Sequence, residues 1–215
     1  MNASIDKFIK FTNITDVREK LLRWTQFLIV LLIAWFPRIK VLPQLKLQIL
    51  IIRKVLRCFK PLHHANVAQK NYKTNSNALL ILKNIFFMLY LGLDQIVLLR
   101  MVNMLPTNPL TLQLAPKFAN LFWLTALSID IRINLNNMKV MDDDLIQNKS
   151  KENRNLQRIQ TSQKQYNALR KIVWDIMDSY IVSTYLNYMK PYNTLVGIFG
   201  MTTSMLALQD IWQKC

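Results

Sequence analysis

Glycine is nearly missing from this chain: three residues in 215. Strand and turn architectures lean on glycine for left-handed backbone and tight reversals. Its scarcity, beside long apolar stretches at helical spacing, points to an all-α protein. Cysteine is as scarce. Cys58 and Cys215 form no metal or redox spacing and no disulfide framework, and read as free thiols in a reducing compartment. The two histidines, His63 and His64, are adjacent. Neighbours on a helix point about 100° apart and cannot share a metal well, so surface or headgroup contact is their reading. A Gly-rich phosphate loop and a nucleophile elbow are both missing, and no Ser, His and Asp fall into a group. No catalytic activity, metal or cofactor is expected. Nor does a secretory signal peptide stand out, since the first apolar run, Trp24 to Phe36, begins too deep.

Acidic side chains are the other shortage. Twelve Asp and Glu face 28 Lys and Arg, a formal net charge of +16, in a chain that is 52% hydrophobic. A basic chain wants an anionic partner, and a very apolar one wants lipid or a large interface. An anionic phospholipid membrane meets both demands. Nucleic acid meets only the first, and no helix-turn-helix, zinc-ligand or aromatic RNA-binding motif supports it, so no nucleic-acid partner is expected.

The sequence reads as one helical unit over residues 1–215, a membrane-associated bundle. A first helix through "VREKLLRWTQFLIVLLIAWF" stops near Pro37. Its charge-free part, Trp24 to Pro37, has 14 residues, short of the ~20 that span a bilayer core; it suits a buried bundle helix or a shallow insertion. Residues 38–73 form a basic segment without Asp or Glu. A second apolar helix covers Ala78 to about Leu105, with Lys83 and Asp94 returning to one face after three turns. Pro106, Pro109 and Pro116 mark a turn, and "KFANLFWLTALSIDIRINL" a third helix. Residues 136–158 read as a polar, flexible linker. An amphipathic helix follows, with Tyr166, Leu169, Val173, Ile176 and Tyr180 on one face and Lys171, Asp175 and Asp178 opposite. Pro191 to Gln209, 19 residues without a charge, is the best transmembrane candidate in the chain.

The basic segment raises the sharpest question. On a helical wheel, Leu45, Ile49, Ile52, Val55, Leu56 and Phe59 share an arc, with Lys46, Arg53, Arg57 and Lys60 on its flank and Lys54 further round. Spanning would place five cations in hydrocarbon, at about 2.5–3.5 kcal/mol each and roughly 12–18 kcal/mol in all. Lying in the interface lets each gain about 1 kcal/mol from anionic headgroups, while the apolar arc enters the acyl boundary. A bundle helix with a solvated basic face is the plain alternative. Asp94, Arg100, Asp130 and Arg132 sit within apolar helices, where charges must pair, reach water or lie near headgroups. They read as buried pins, with a carboxylate–arginine pair expected across helices, or else as a polar path for solutes.

Several blocks, in order, resemble the peroxin-eleven proteins of the peroxisomal membrane in their fungal form: "REKLLRWTQFL", "RKVLRCFKPLHHANVAQKNY", "LKNIFFMLYLGLDQIVLLR", "WLTALSIDIR", "YNALRKIVWDIMDSYIV" and "LQDIWQK". They reach from about residue 8 to the C-terminus, and each is specific only in company. The resemblance implies a peroxisomal membrane-remodelling factor that elongates peroxisomes before division. It implies an amphipathic helix inserted into one leaflet, here matching Arg53 to Tyr72, self-association into homo-oligomers, and contact with the division machinery. The alternative it carries is a pore for small metabolites. The inferred mechanism is a wedge in which basic residues dock on acidic lipid while Leu45, Ile49, Ile52, Leu56 and Phe59 expand the leaflet.

Overall fold

In a computed structural model, residues 3–147 and 154–214 are described, with side chains over 7–140 and 161–214. Among the described residues there are eight α-helices and no strand: α1 (Ala3–Asn13), α2 (Thr15–Trp35), α3 (Val41–Leu56), α4 (Lys60–Lys73), α5 (Ala78–Met101), α6 (Ala115–Gln147), α7 (Arg154–Tyr185) and α8 (Asn193–Lys214). A π-helical turn, Leu110–Leu114, leads into α6.

With glycine so rare, asparagine ends the helices. Asn75, Asn103 and Asn187 hold φ of 47°, 59° and 59° just past α4, α5 and α7. One residue on, the amides of Ser76, Met104 and Tyr188 donate back to the carbonyls of Asn71, Leu99 and Ser183 at 3.0, 2.8 and 3.0 Å. This is the Schellman closure, with asparagine as the non-glycine residue best able to hold the left-handed position. Pro61 falls in the first turn of α4, where no amide is needed. The break between α3 and α4 therefore comes just before it, at Arg57–Phe59, and the basic segment is two helices. Asn108 and Thr111 cap each other reciprocally, side chain to amide, at 2.9 and 3.2 Å, which restarts the chain after the proline-rich turn.

The polar stretch proposed as a linker differs in extent. Residues 136–147 continue α6 and 154–158 begin α7; residues 148–153 lie outside the described residues. "NNMKVMDDDLIQ" holds no glycine or proline to stop the helix.

Helices α2, α3, α5, α6, α7 and α8 touch in a closed circuit, α8 returning to α2, while α4 packs on α5. Two apolar clusters hold it: Phe27, Val30, Ile181 and Val196 where α2, α7 and α8 meet, and Tyr90, Leu91 and Ala119 between α5 and α6. Tyr90 stacks on Trp123 with centroids 5.1 Å apart. Helix α8 lies against α2 through Gly197, Gly200 and Ser204, a small-residue seam of the kind that lets helices approach closely in lipid. A Cβ on Gly200 would fall 2.1–2.4 Å from the Phe27 ring.

That contact is testable. Gly200→Ala should destabilise the solubilised protein by about 1–3 kcal/mol through overpacking. Combined with Phe27→Ala, the loss should be less than the sum of the single losses, because the two residues share one contact. Additive losses in thermal unfolding would refute the close approach.

Candidate functional site

The circuit of helices encloses charge. Arg53 and Lys54, each about 6% exposed, point inward from α3. Arg53 donates to Glu19 of α2 from Nη2 at 2.8 Å and from Nε at 3.2 Å, and also to Gln26. Lys54 pairs with Asp94 of α5. Arg57 donates to Asp94 at 3.0 Å and to the Tyr90 hydroxyl at 3.1 Å. Opposite, Arg23 of α2 meets Asp178 of α7 at 2.5 Å, and the indole N–H of Trp174 donates to the other Asp178 oxygen at 3.3 Å. Lys171 serves Asp175 at 2.8 Å and Asp130 of α6 at 3.6 Å, and Lys83 reaches Asp130 at 3.0 Å. Between these groups lies a cavity of about 540 Å³.

The wheel's assignment of the basic side chains is therefore corrected. Arg53, Lys54 and Arg57 do not face headgroups; they are drawn inward by Glu19 and Asp94, which lie 34 to 40 residues away in sequence. Lys46 is half-buried on the cavity wall. Lys60 pairs with Asp16 at 2.8 Å near the surface, a contact worth about 0–1 kcal/mol. Of the apolar arc, Ile49 is buried and Leu56 half-buried, while Leu45, Ile52, Val55 and Phe59 are exposed, Phe59 at 77%. Val41 and Leu62 are exposed as well; Ile52, Val55, Phe59 and Leu62 follow at three- and four-residue steps, and the buried Ile49 separates them from Val41 and Leu45.

The same inversion holds on α7. Tyr166, Leu169, Val173 and Ile176 are exposed, while Asp175 and Asp178 are buried. Helices α5 and α8 are long and apolar enough to cross a bilayer, and only 28% and 33% of their most apolar stretches are buried. A core helix of a water-soluble protein would be mostly covered. Many apolar side chains thus face out, while several charged ones face in beside the apolar clusters.

Among the four expected pins, Asp94 and Asp130 are buried and paired with cations across helices. Arg100 is half-buried with no ion pair among the described residues, and its Nε donates no hydrogen bond. Arg132 is exposed and has no ion pair among the described residues. Lys83 answers Asp130 rather than Asp94, its partner on the same helix face. His64 stacks on Phe87, centroids 5.3 Å apart, and bonds Asn84 at 3.1 Å; His63 is exposed. Glu19, Arg23 and Gln26 were not singled out in the sequence. The signal for them was a polar face on α2 at steps of three and four.

Burial pushes the Glu19 carboxyl up, but Lys20, Arg53 and Arg57 around it outweigh this and hold it well below the usual range. Asp175 goes the other way. Burial raises it to about 6 despite Lys171, with Asp130 and Asp178 adding to the rise. A carboxyl raised on folding keeps its proton where the unfolded chain has released it, so its share of stability is present at low pH and is lost as pH rises through the folded value. The fall should run from about pH 4 to about pH 6 and total about 3 kcal/mol. Asp175→Asn should abolish that fall, so the unfolding-temperature gap between variant and parent widens upward across this window. A gap constant with pH would refute the assignment.

The chain matches the family described as Peroxisomal biogenesis factor 11 (PEX11) over residues 5–212. It is similar to peroxisomal membrane protein PMP27 of Saccharomyces cerevisiae, 33% identical, with 99% of this chain and 96% of the relative covered. It is also similar to PMP30B and PMP30A of Candida boidinii, 28% and 27% identical, each over 97% of this chain and 94% of the relative. No solved structure matches it significantly.

Proposed function

Because the chain belongs to the peroxisomal biogenesis factor 11 (PEX11) family, we propose that it elongates the peroxisomal membrane by lodging an outward apolar stripe in one leaflet. It is a protein of the peroxisomal membrane involved in peroxisome proliferation. The observation that supports the mechanism is the set Val41, Leu45, Ile52, Val55, Phe59 and Leu62, exposed along α3 and α4. Transferring half of such a side chain to hydrocarbon gains about 1 kcal/mol, so the six together favour insertion by roughly 6 kcal/mol. The buried cations play a different part from the one first read for them. They fasten α3 to α2 and α5, so that the stripe is presented rigidly.

Headgroup contact falls to the cations left outside. Arg38 and Lys40 are exposed beside Trp35, Phe36 and Ile39 at one end, and Lys70 and Lys73 beside Tyr72 at the other. Aromatic and basic side chains together suit the interface of an anionic phospholipid membrane. Self-association concentrates the wedges, and the narrowed tube is handed to the division machinery.

Full-length protein in vesicles of phosphatidylcholine and phosphatidic acid should draw tubules. Replacing Ile52, Val55 and Phe59 by Ser should leave thermal unfolding within about 0.5 kcal/mol, as for other exposed sites, yet suppress tubules. Normal tubulation by this variant sinks the wedge. A second reading, a path for small solutes, draws on the polar cavity. It calls for conductance in planar bilayers that Arg100→Glu alters; an electrically silent protein removes it.

A further inference from the structure

The cavity carries more positive charge than its own carboxylates answer. Nine lysines and arginines line it against four carboxylates. The carboxylates are already shared: Glu19 lies beside Lys20 and Arg53, and Asp94 beside Lys54 and Arg57. Two lining cations, Lys46 and Arg100, have no ion pair among the described residues. Nothing offsets the burial of Lys46, which lowers the affinity of its amine for a proton.

Both line the cavity, Lys46 from α3 and Arg100 from α5. Arg57 meets Tyr90 and Lys54 meets Asp94, so α3 and α5 run antiparallel with residue numbers rising on one as they fall on the other. Carried along α3, that register would bring Lys46 toward Met101 and Arg100 at one end of the cavity, which all three line. Asn120 of α6 and the apolar Leu50, Val97 and Trp123 also line the cavity. A planar guanidinium and an ammonium together suit a phosphate's oxygens, and the apolar wall suits an organic group carried behind it. The volume lies within the range of small-molecule sites, about 300–1,000 Å³.

We propose that this end of the cavity binds a phosphate monoester, with Lys46 and Arg100 on the phosphate and the organic part against Leu50, Val97 and Trp123. Two sources share that chemistry, a phosphatidic-acid headgroup and a water-soluble phosphate ester. The site is independent of the wedge: it needs neither tubules nor conductance, and binding is read apart from both.

The full chain in uncharged detergent is titrated with short-chain phosphatidic acid, with glycerol phosphate, and with phosphatidylcholine of the same chain length. Calorimetry and thermal unfolding are both recorded. Saturable binding of either phosphate monoester, without binding of phosphatidylcholine, is expected. Lys46→Gln and Arg100→Gln should each weaken it about tenfold, the loss of one charge-assisted hydrogen bond. Lys190→Gln, an exposed site outside the cavity, should not. Neither test residue leaves a carboxylate unpaired when removed, so both variants should unfold no lower than the parent without ligand. They lie on different helices, so either one, if folded, decides. Preference for phosphatidic acid assigns the site to lipid, and preference for glycerol phosphate to a soluble ester. No saturable binding, or binding equal in parent and folded variants, overturns the proposal.

Discussion

The pair of hydrogen bonds from Arg53 to one carboxylate oxygen of Glu19 is the constraint on which the arrangement turns. It ties α3 to α2 across 34 residues of sequence, and the neighbouring pairs of Lys54 and Arg57 with Asp94 tie the same helix to α5. Breaking such a buried pair by removing one member typically costs about 3–5 kcal/mol, because a charge is left behind without an answer. Once α3 is fastened by its charged side, the opposite side has no choice of direction. The exposed set from Val41 to Leu62 is the geometrical consequence of pairing within, and the membrane-facing character of the protein follows from its polar interior.

This reverses the ordinary order of amphipathic helices. In water, α3 and α7 would turn their apolar sides inward. Here both turn charged side chains inward, Arg53 and Lys54 on α3 and Asp175 and Asp178 on α7, beside the buried Ile49, Ile172, Ile181 and Val182, and α5 and α8 leave most of their apolar length uncovered. The two observations support each other. Hydrocarbon around the bundle removes the drive to hide leucine and isoleucine, and leaves packing and polar pairing to decide how helices meet. The small-residue seam of Gly197 and Gly200 against Phe27 and Leu31 supplies the packing, and the ion pairs supply the pairing.

Much of this was legible in the sequence. The scarcity of glycine announced helices, and the uncharged run before Gln209 announced α8. Family order in six weak blocks announced the rest. The helical wheel also separated the two sides of the basic segment. It failed on which side faces in, and the reason is physical. A wheel sees one helix, whereas the direction of Arg53 and Lys54 is set by Glu19 and Asp94 on other helices. The long stems of arginine and lysine make either direction available. Arg132 failed for a related reason: a charge in an apolar helix is a pin only if another helix covers its side, and the sequence does not show which side of α6 is covered.

The charge balance links the two halves of the molecule. Twelve acidic side chains cannot answer 28 basic ones, so some cations must find anions elsewhere. Those outside, Arg38, Lys40, Lys70 and Lys73, have the lipid surface within reach. Those inside do not, and the interior solves most of its share by letting one carboxylate serve two cations. That arrangement works at Glu19 and Asp94 and stops at Lys46 and Arg100, where the wall offers amide and hydrocarbon but no carboxylate. A partly buried space lined by uncompensated positive charge favours an anion within it. The surplus that first suggested a membrane partner for the whole chain is thus present within it too, at Lys46 and Arg100, where the proposed phosphate site lies.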